Sequence, residues 1–194
     1  MDPQAKTGTP ADLVPAVIRG DGEAVDTWYR LEWPVVYRLG FGFLANAAEA
    51  LDLAQDAMLH LLDHLGDWNP GRSYPAWRTA VVANLCRDRL RRLATRQRAE
   101  SSEALLLPQR LPAPDAGVEA EETRTILVES LGALTPRERE VFVLHDLEGA
   151  SYAEVAESLT IQQSTARTLV TLARRRLRKL LGPRLTIDDG GRHG

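Results

Sequence analysis

The sequence predicts an all-α protein of two small helical domains joined by a flexible linker, the C-terminal domain being a helix-turn-helix. Apolar residues recur at helical spacing along most of the chain, and strand-like alternation is scarce. The helical pattern fails once, in a segment rich in Ser, Ala, Pro and acidic residues. We therefore predict five segments: a mobile N-terminal tail (1–20), a first domain (21–98), an acidic Pro/Ala-rich linker (99–120), a second domain (121–182) and a C-terminal tail (183–194).

The composition limits the class of protein. Hydrophobic residues make up 44% and charged residues 26% of the 194 residues, which is typical of globular domains and not of disordered chains. The single cysteine, Cys86, excludes a disulfide framework and favours a reducing compartment. Neither a signal peptide nor a segment of transmembrane length is visible, so we expect a cytoplasmic protein with no membrane insertion of its own.

The charge is unevenly distributed. The net charge of −3 by itself argues against a nucleic-acid partner. Residues 163–184, however, hold seven basic side chains and no acidic one, and residues 87–98 hold six arginines against one aspartate. Because local patches decide where a polyanion binds, two nucleic-acid surfaces remain possible.

The first domain is predicted to contain three long helices. The first runs from Asp21 to Phe43 with a bend near Pro34, and the second from Asn46 or Ala47 to about Leu65. A loop rich in Pro, Gly and Asn follows, and it is unusual in keeping a tryptophan and a tyrosine. Pro75 opens the third helix, which is predicted to run to about Arg98 with Trp77 on its core-facing side.

The segment Leu134 to Leu181 carries the clearest local signals. Thr135-Pro136-Arg137-Glu138 and Ser151-Tyr152-Ala153-Glu154 are capping boxes, each worth about 1 kcal/mol, and mark two helix starts. A short helix, Tyr152 to Leu159, is followed by a tight turn at Thr160-Ile161 and a longer helix from about Gln163. This is the spacing of a helix-turn-helix whose second helix enters the major groove of DNA.

Three segments together resemble the sigma-70 family of bacterial sigma factors. They are EALDLAQDAM (49–58), SYPAWRTAVVANLCRDRLRR (73–92) and LTPREREVFVLHDLEGASYAEVAESL (134–159) with the helix after it. The short chain, with two domains and only a linker between them, suggests the extracytoplasmic-function (ECF) subgroup. The resemblance covers about Asp21 to Leu181. The two N-terminal segments alone, or the C-terminal segment alone, would be weaker evidence than all three in this order and at this spacing.

The resemblance implies a transcription initiation factor that binds core RNA polymerase and directs promoter recognition and −10 melting. The implied polymerase-binding residues are Asp52, Gln55, Asp56 and Leu59. The implied −10 DNA-binding residues are Trp68, Asn69, Arg72, Ser73, Tyr74, Asn84, Arg87, Arg91 and Arg92. The implied −35 DNA-binding residues are Gln162, Gln163, Ser164, Thr165, Arg167, Thr168, Thr171, Arg174 and Arg175.

The resemblance further implies an anti-sigma factor as a partner, and two domains that can pack together and hide both DNA surfaces. It implies no cofactor and no metal. The residues themselves leave other interpretations open. The acidic residues could be an ordinary solvated face, Trp68 could pack back on the core, and the linker could be a simple tether. An alternative function is a helix-turn-helix transcriptional regulator whose N-terminal domain serves interaction.

Three positions depart from the family pattern. Thr160 replaces the usual turn glycine, which is costly if the turn needs a positive φ, unless the turn is built differently. Leu169 and Leu172 stand where basic residues are expected. These leucines could touch thymine methyls, contact a partner or widen the core, and we expect weaker or unusual −35 recognition.

Other signals carry little weight. His60 and His64 have the i, i+4 spacing of a helical zinc site, but no motif supplies a third ligand. Cys86 is best explained as a small buried residue. We find no phosphate-binding glycine loop, catalytic triad or paired-carboxylate site, so the sequence does not predict an enzyme.

Overall fold

The computed structural model describes residues 8–99 and 126–181, and this part of the chain is helical without strands, which confirms the predicted all-α class. The helices are α1 (Pro10–Ile18), α2 (Gly22–Leu44), α3 (Ala47–Asp63), α4 (Tyr74–Ala99), α5 (126–132), α6 (Pro136–Phe142), α7 (Tyr152–Leu159) and α8 (Gln163–Leu181). A 3₁₀ turn follows α3 at Leu65–Asp67, and a π-helical turn follows α6 at Val143–Leu147. The predicted linker beyond residue 99 and the predicted C-terminal tail lie outside the described residues.

Helix α1 corrects the prediction of a mobile tail over residues 1–20. Thr9 and Asp12 form a capping box, with Pro10 at the first helical position. Val14 and Val17 are buried at 3% and 5% exposure and join the core of the first domain. The segment looked like a tail because of its small residues and prolines, yet its start carries the same signal as Thr135-Pro136.

Helices α2, α3 and α4 form the core of the first domain. Asp21 caps α2 by accepting hydrogen bonds from the amides of Glu23 and Ala24. The helix continues through Pro34 to Leu44 and ends at Ala45, which has a positive φ of 52°. Fully buried side chains from all three helices pack together, among them Trp28, Leu39, Phe43, Leu61 and Val82. Trp77 is half-buried against this core.

The second domain has the predicted helix-turn-helix. Both predicted capping boxes are formed, at Thr135/Glu138 before α6 and at Ser151/Glu154 before α7. The buried stripe of α8 consists of Ala166, Val170, Ala173 and Leu177, at the spacing of one helix face. The π-helical turn between α6 and α7 has no counterpart among the sequence predictions.

The turn between α7 and α8 has a left-handed residue at Thr160. Its φ of 54° and ψ of 52° put a β-branched side chain in a region that favours glycine. The turn therefore keeps the geometry that a glycine would allow, instead of being built differently. Thr160 is exposed, so no burial of its methyl group compensates for the strain.

We expect Thr160→Gly to stabilise the protein by about 1 kcal/mol. The left-handed conformation costs a non-glycine residue about 1–2 kcal/mol, and the larger backbone entropy of glycine offsets about 0.5–1 kcal/mol of the gain. Urea denaturation followed by circular dichroism measures the change. Thr165→Gly, in the first turn of α8, is the matched control and should lower stability by about 0.3 kcal/mol. Equal urea midpoints for the parent protein and the Thr160→Gly variant would show that the turn between α7 and α8 holds no backbone strain.

Candidate nucleic-acid and polymerase interfaces

The acidic face of α3 is open to solvent. Asp52, Gln55, Asp56 and Leu59 are all exposed, and Leu59 keeps 65% of its surface accessible. Two further leucines, Leu51 and Leu62, are also exposed on α3, although the sequence analysis did not select them. A row of exposed leucines beside carboxylates is more than an ordinary solvated face, because large apolar side chains at this exposure mark contact surfaces when they cluster.

The loop between α3 and α4 divides the predicted −10 residues into different environments. Asn69 and Arg72 are exposed, whereas Trp68 is half-buried. The Trp68 ring packs edge-on against Tyr74 at 5.3 Å between centroids, and its Nε1 donates to the carbonyl of Arg72 at 3.2 Å. Ser73 caps α4, since its Oγ accepts from the amide of Ala76 at 3.3 Å. Only part of this set can therefore meet a base without local rearrangement.

Tyr74 is a structural residue, which corrects its assignment to a base-binding pocket. The side chain is buried at 3% exposure, and its hydroxyl accepts a hydrogen bond from Trp28 Nε1 at 2.9 Å. Burial, followed by the charge of Glu32, raises the pKa of the Tyr74 hydroxyl above its ordinary value. The loop composition concealed this role, because loop signals describe the backbone and not the direction of a side chain.

A buried ion pair fixes the start of α4 to α2. Glu32 is fully buried, and Arg78 Nη1 lies 3.3 Å from its Oε1. Burial raises the pKa of the Glu32 carboxyl, and the charge of Arg78 opposes that shift. The sequence gives one signal for this ion pair: Glu32 lies one helical turn after Trp28, on the face of α2 that is buried.

The predicted −10 residues of α4 are differently engaged. Asn84 is exposed, and its Oδ1 accepts from Arg87 Nη1 at 2.8 Å. Arg87 also donates to both carboxylate oxygens of Glu140 in α6, at 2.7 and 3.0 Å. Arg91 pairs with Asp88 on its own helix, and Arg92 is exposed. The second domain thus occupies the guanidinium that was expected to hold DNA phosphate.

Further contacts hold the two domains together. Arg38 of α2 donates to both oxygens of Glu148 at 2.5 and 2.8 Å. Arg139 of α6 is buried and donates from Nη1 to the carbonyl of Phe43 at 3.1 Å, at the end of α2. Gly42 permits close approach, because an added Cβ would lie 2.7 Å from Val143 Cγ1. The domains are therefore packed together, as expected for one state of such a protein.

The predicted −35 residues lie along the open side of α8. Gln162, Gln163, Ser164 and Thr165 are exposed at its start, and Arg167, Thr168, Thr171 and Arg175 are exposed further along. Arg174 is half-buried and pairs with Asp146 of the π-helical turn. The domain packing that occupies Arg87 thus leaves this surface accessible. It also leaves Asn69, Arg72, Asn84, Arg91 and Arg92 exposed, so neither proposed DNA surface is hidden as a whole.

Leu169 and Leu172, the two leucines of α8 that replace expected basic residues, are half-buried. Leu169 packs against the core, which favours the widened core among its three possible roles. Arg167 is consequently the only basic residue between Gln163 and Ala173. Its Cζ lies 5.3 Å from the ring centroid of Tyr152, and that ring stacks on His145 at 4.0 Å.

In residues 8–99 and 126–181, no cluster of three or more His, Cys, Asp or Glu side chains could hold a metal ion. No helix within these ranges is long and apolar enough to cross a membrane. Cys86 is buried, and burial raises the pKa of its thiol.

Comparison with known proteins identifies the class. The family profile for Sigma-70 region 2 matches residues 28–96, and the profile for Sigma-70, region 4 matches residues 124–177. The ECF RNA polymerase sigma factor SigM of Mycobacterium tuberculosis is 30% identical over 172 residues, covering 89% of this chain and 84% of SigM. The chain therefore belongs to the sigma-70 family, in its extracytoplasmic-function subgroup, and is a transcription initiation sigma factor.

Solved structures agree on the fold. CnrH, in complex with the cytosolic domain of CnrY, has a TM-score of 0.65 at 23% identity and covers 90% of this chain and 97% of its own. The sigma factor RpoE, in complex with the anti-sigma factor NepR from Bartonella quintana, has a TM-score of 0.65 at 21% identity, covering 79% and 93%. As a sigma factor, the chain acts with core RNA polymerase on promoter DNA. Sigma factors are in general regulators without enzymatic activity.

We expect Tyr74→Phe to lower the free energy of unfolding by about 1–3 kcal/mol, because the buried Trp28 N–H loses its acceptor. Thermal and urea unfolding measure this loss. Tyr37→Phe removes a hydroxyl from a half-buried tyrosine of α2 and should change stability by less than about 0.5 kcal/mol. Equal stability of the two variants would contradict the structural role of Tyr74.

Proposed function

We propose that this sigma factor binds core RNA polymerase through the acidic face of α3, engages the −10 element with the following loop and α4, and recognises the −35 element with α8. One observation carries the proposal: the faces of α3 and α8 are both open while the domains are packed together. The region 2 match also covers the N-terminal domain, which the alternative of a helix-turn-helix regulator leaves unexplained.

Run-off transcription tests this assignment. Core RNA polymerase with the parent protein should initiate at a promoter, and core polymerase alone should not. A variant with Asp52→Asn and Asp56→Asn should lose polymerase binding while still binding −35 duplex DNA. A protein that binds duplex DNA but neither binds core polymerase nor supports transcription would instead fit the regulator.

The packed domains have a consequence for −10 binding. Glu140 is 3% exposed and supplies two acceptor oxygens to Arg87, in the way a phosphate would. Single-stranded DNA and Glu140 therefore compete for the same guanidinium. We propose that the second domain must move away from α4 before Arg87 contacts DNA.

Glu140→Gln tests the competition. The change removes the charge that holds Arg87 and should weaken domain packing by about 1–3 kcal/mol. Affinity for single-stranded −10 DNA, measured by fluorescence anisotropy, should rise about fivefold to a hundredfold. Glu157→Gln changes the net charge equally at an exposed position of α7 and is the control. Equal affinities for the two variants would exclude competition by Glu140, and Arg87→Gln should abolish the gain.

The leucines of α8 allow a test of −35 recognition. Leu172→Arg should raise affinity for −35 duplex DNA and steepen the salt dependence by about 0.9 in log–log slope for one added phosphate contact. Leu169→Arg should give the same gain only with a loss of stability, because Leu169 packs on the core. Ile126→Arg adds the same charge in α5 and serves as control. If neither leucine variant binds more DNA than the parent at matched salt, missing phosphate contacts do not limit −35 binding.

An anti-sigma factor is the proposed regulator, and the cytoplasm the proposed compartment. Support comes from the two neighbouring structures, which are complexes with CnrY and with the anti-sigma factor NepR. The open leucines of α3 offer an apolar surface that such a partner can cover. Co-purification from the native cytoplasmic fraction tests both proposals.

A further inference from the structure

Arg89 lies on a different side of α4 from Arg87 and faces α3. Its Nε contacts Glu49, its Nη2 lies 3.0 Å from Asp52 Oδ2, and its Nη1 lies 3.7 Å from Asp56 Oδ2. We propose that Arg89 is a positioning residue for polymerase binding: it holds Asp52 and Asp56 in the orientation in which core RNA polymerase meets them. This inference rests on the proposed function of the α3 face.

The three carboxylates need a common partner to converge. Glu49, Asp52 and Asp56 stand at i, i+3 and i+7, so they line one stripe of α3 that spans about 10 Å along the helix axis. Like charges at this spacing repel each other and turn apart in water. The guanidinium has five N–H donors in a rigid plane and can contact all three, whereas a lysine ammonium is a single point charge.

Burial shows which end of the stripe is fixed and which is offered to a partner. The side chains of Arg89 and Glu49 are 24% and 26% exposed, while those of Asp52 and Asp56 are 65% and 71% exposed. Partial burial by itself lowers the pKa of Arg89, but the hydrogen bonds and negative charges of Glu49 and Asp52 together outweigh it, so the pKa lies above its ordinary value. Each aspartate contacts Arg89 through Oδ2, and most of its side chain remains open to solvent.

The charge balance around Arg89 makes its role testable, because screening and positioning predict opposite changes in polymerase affinity when Arg89 is removed. Three carboxylates against one guanidinium leave two uncompensated negative charges, which suit a basic partner surface. If Arg89 only screened these charges, its removal would strengthen binding of a basic partner. If it positions the aspartates, its removal weakens binding, because the partner must then order two free side chains itself.

The experiment compares Arg89→Gln with Arg96→Gln in the full-length protein. Arg96 lies seven residues further along the same side of α4 and is exposed, and within the described ranges it has no contact with an acid. We expect the dissociation constant for core RNA polymerase to rise about twofold to tenfold for Arg89→Gln, and to stay at the parent value for Arg96→Gln. Arg89→Lys keeps the positive charge but loses the planar guanidinium with its several N–H donors, so it should also weaken polymerase binding.

A double-mutant cycle separates positioning from a general loss of structure. Asp52→Asn should weaken polymerase binding in the parent and have a smaller effect in Arg89→Gln. Arg89→Gln alone leaves the half-buried Glu49 carboxylate without its partner and could unfold the protein. In that case the double variant Glu49→Gln/Arg89→Gln, which removes this carboxylate charge, replaces Arg89→Gln in the binding comparison. Binding equal to or tighter than the parent in either Arg89→Gln background overturns the role of Arg89. If Asp52→Asn and Asp56→Asn leave polymerase binding intact in the parent, the proposed face itself is wrong, and the role of Arg89 falls with it.

Discussion

The packing of the two domains depends on the buried guanidinium of Arg139. Within residues 8–99 and 126–181 no carboxylate pairs with this charge, and burial lowers its pKa. Its N–H groups instead donate to carbonyls of both domains: Phe43 at the end of α2, and Gly132 and Leu134 before α6. These bonds satisfy the two Nη groups, whereas Nε is buried without a hydrogen-bond partner among the described residues. Separating the domains removes the Phe43 carbonyl and exposes the guanidinium to water, which can then hydrate it. The hydrogen bond between Arg139 and the Phe43 carbonyl therefore stabilises the packed arrangement of the two domains, and water can replace it when they separate.

Three of the seven arginines proposed to bind promoter DNA, Arg87, Arg91 and Arg174, are already paired with carboxylates inside the protein. Arg87 contacts Glu140, and Arg174 contacts Asp146. DNA binding at these positions exchanges a carboxylate for a phosphate, so the gain is smaller than for a free cation. Affinity and its salt dependence should then follow the unpaired cations and not the total number of arginines. The net charge of −3 is consistent with this arrangement, since the chain supplies its own acidic partners.

Local signals predicted the helices well, and contacts between distant segments escaped prediction. The capping boxes at Thr135 and Ser151 gave helix starts that the structure contains, and the family pattern identified the exposed faces of α3 and α8. Arg87 and Glu140 are 53 residues apart, and Arg38 and Glu148 are 110 residues apart. Periodicity cannot pair such residues, because it describes one helix at a time. The same limit hid Arg89, whose side of α4 is known only once α3 is packed against it.

The departures of α8 from its family alter charge more than geometry. Thr160 accepts a strained conformation and so preserves the turn, and Leu169 joins the core and so preserves the packing of the helix. What is lost is positive charge near the start of the recognition helix, where Arg167 alone remains. Its guanidinium stacks on Tyr152, which leaves its outer face directed to solvent. On the proposed −35 function, the start of this helix would rely on Arg167 with amide and hydroxyl side chains, which distinguish base edges but add little phosphate attraction, while Arg175 is exposed two turns further along. On the proposed function, such a helix would supply specificity, and most of the affinity of the whole complex would come from core polymerase and from the −10 contacts.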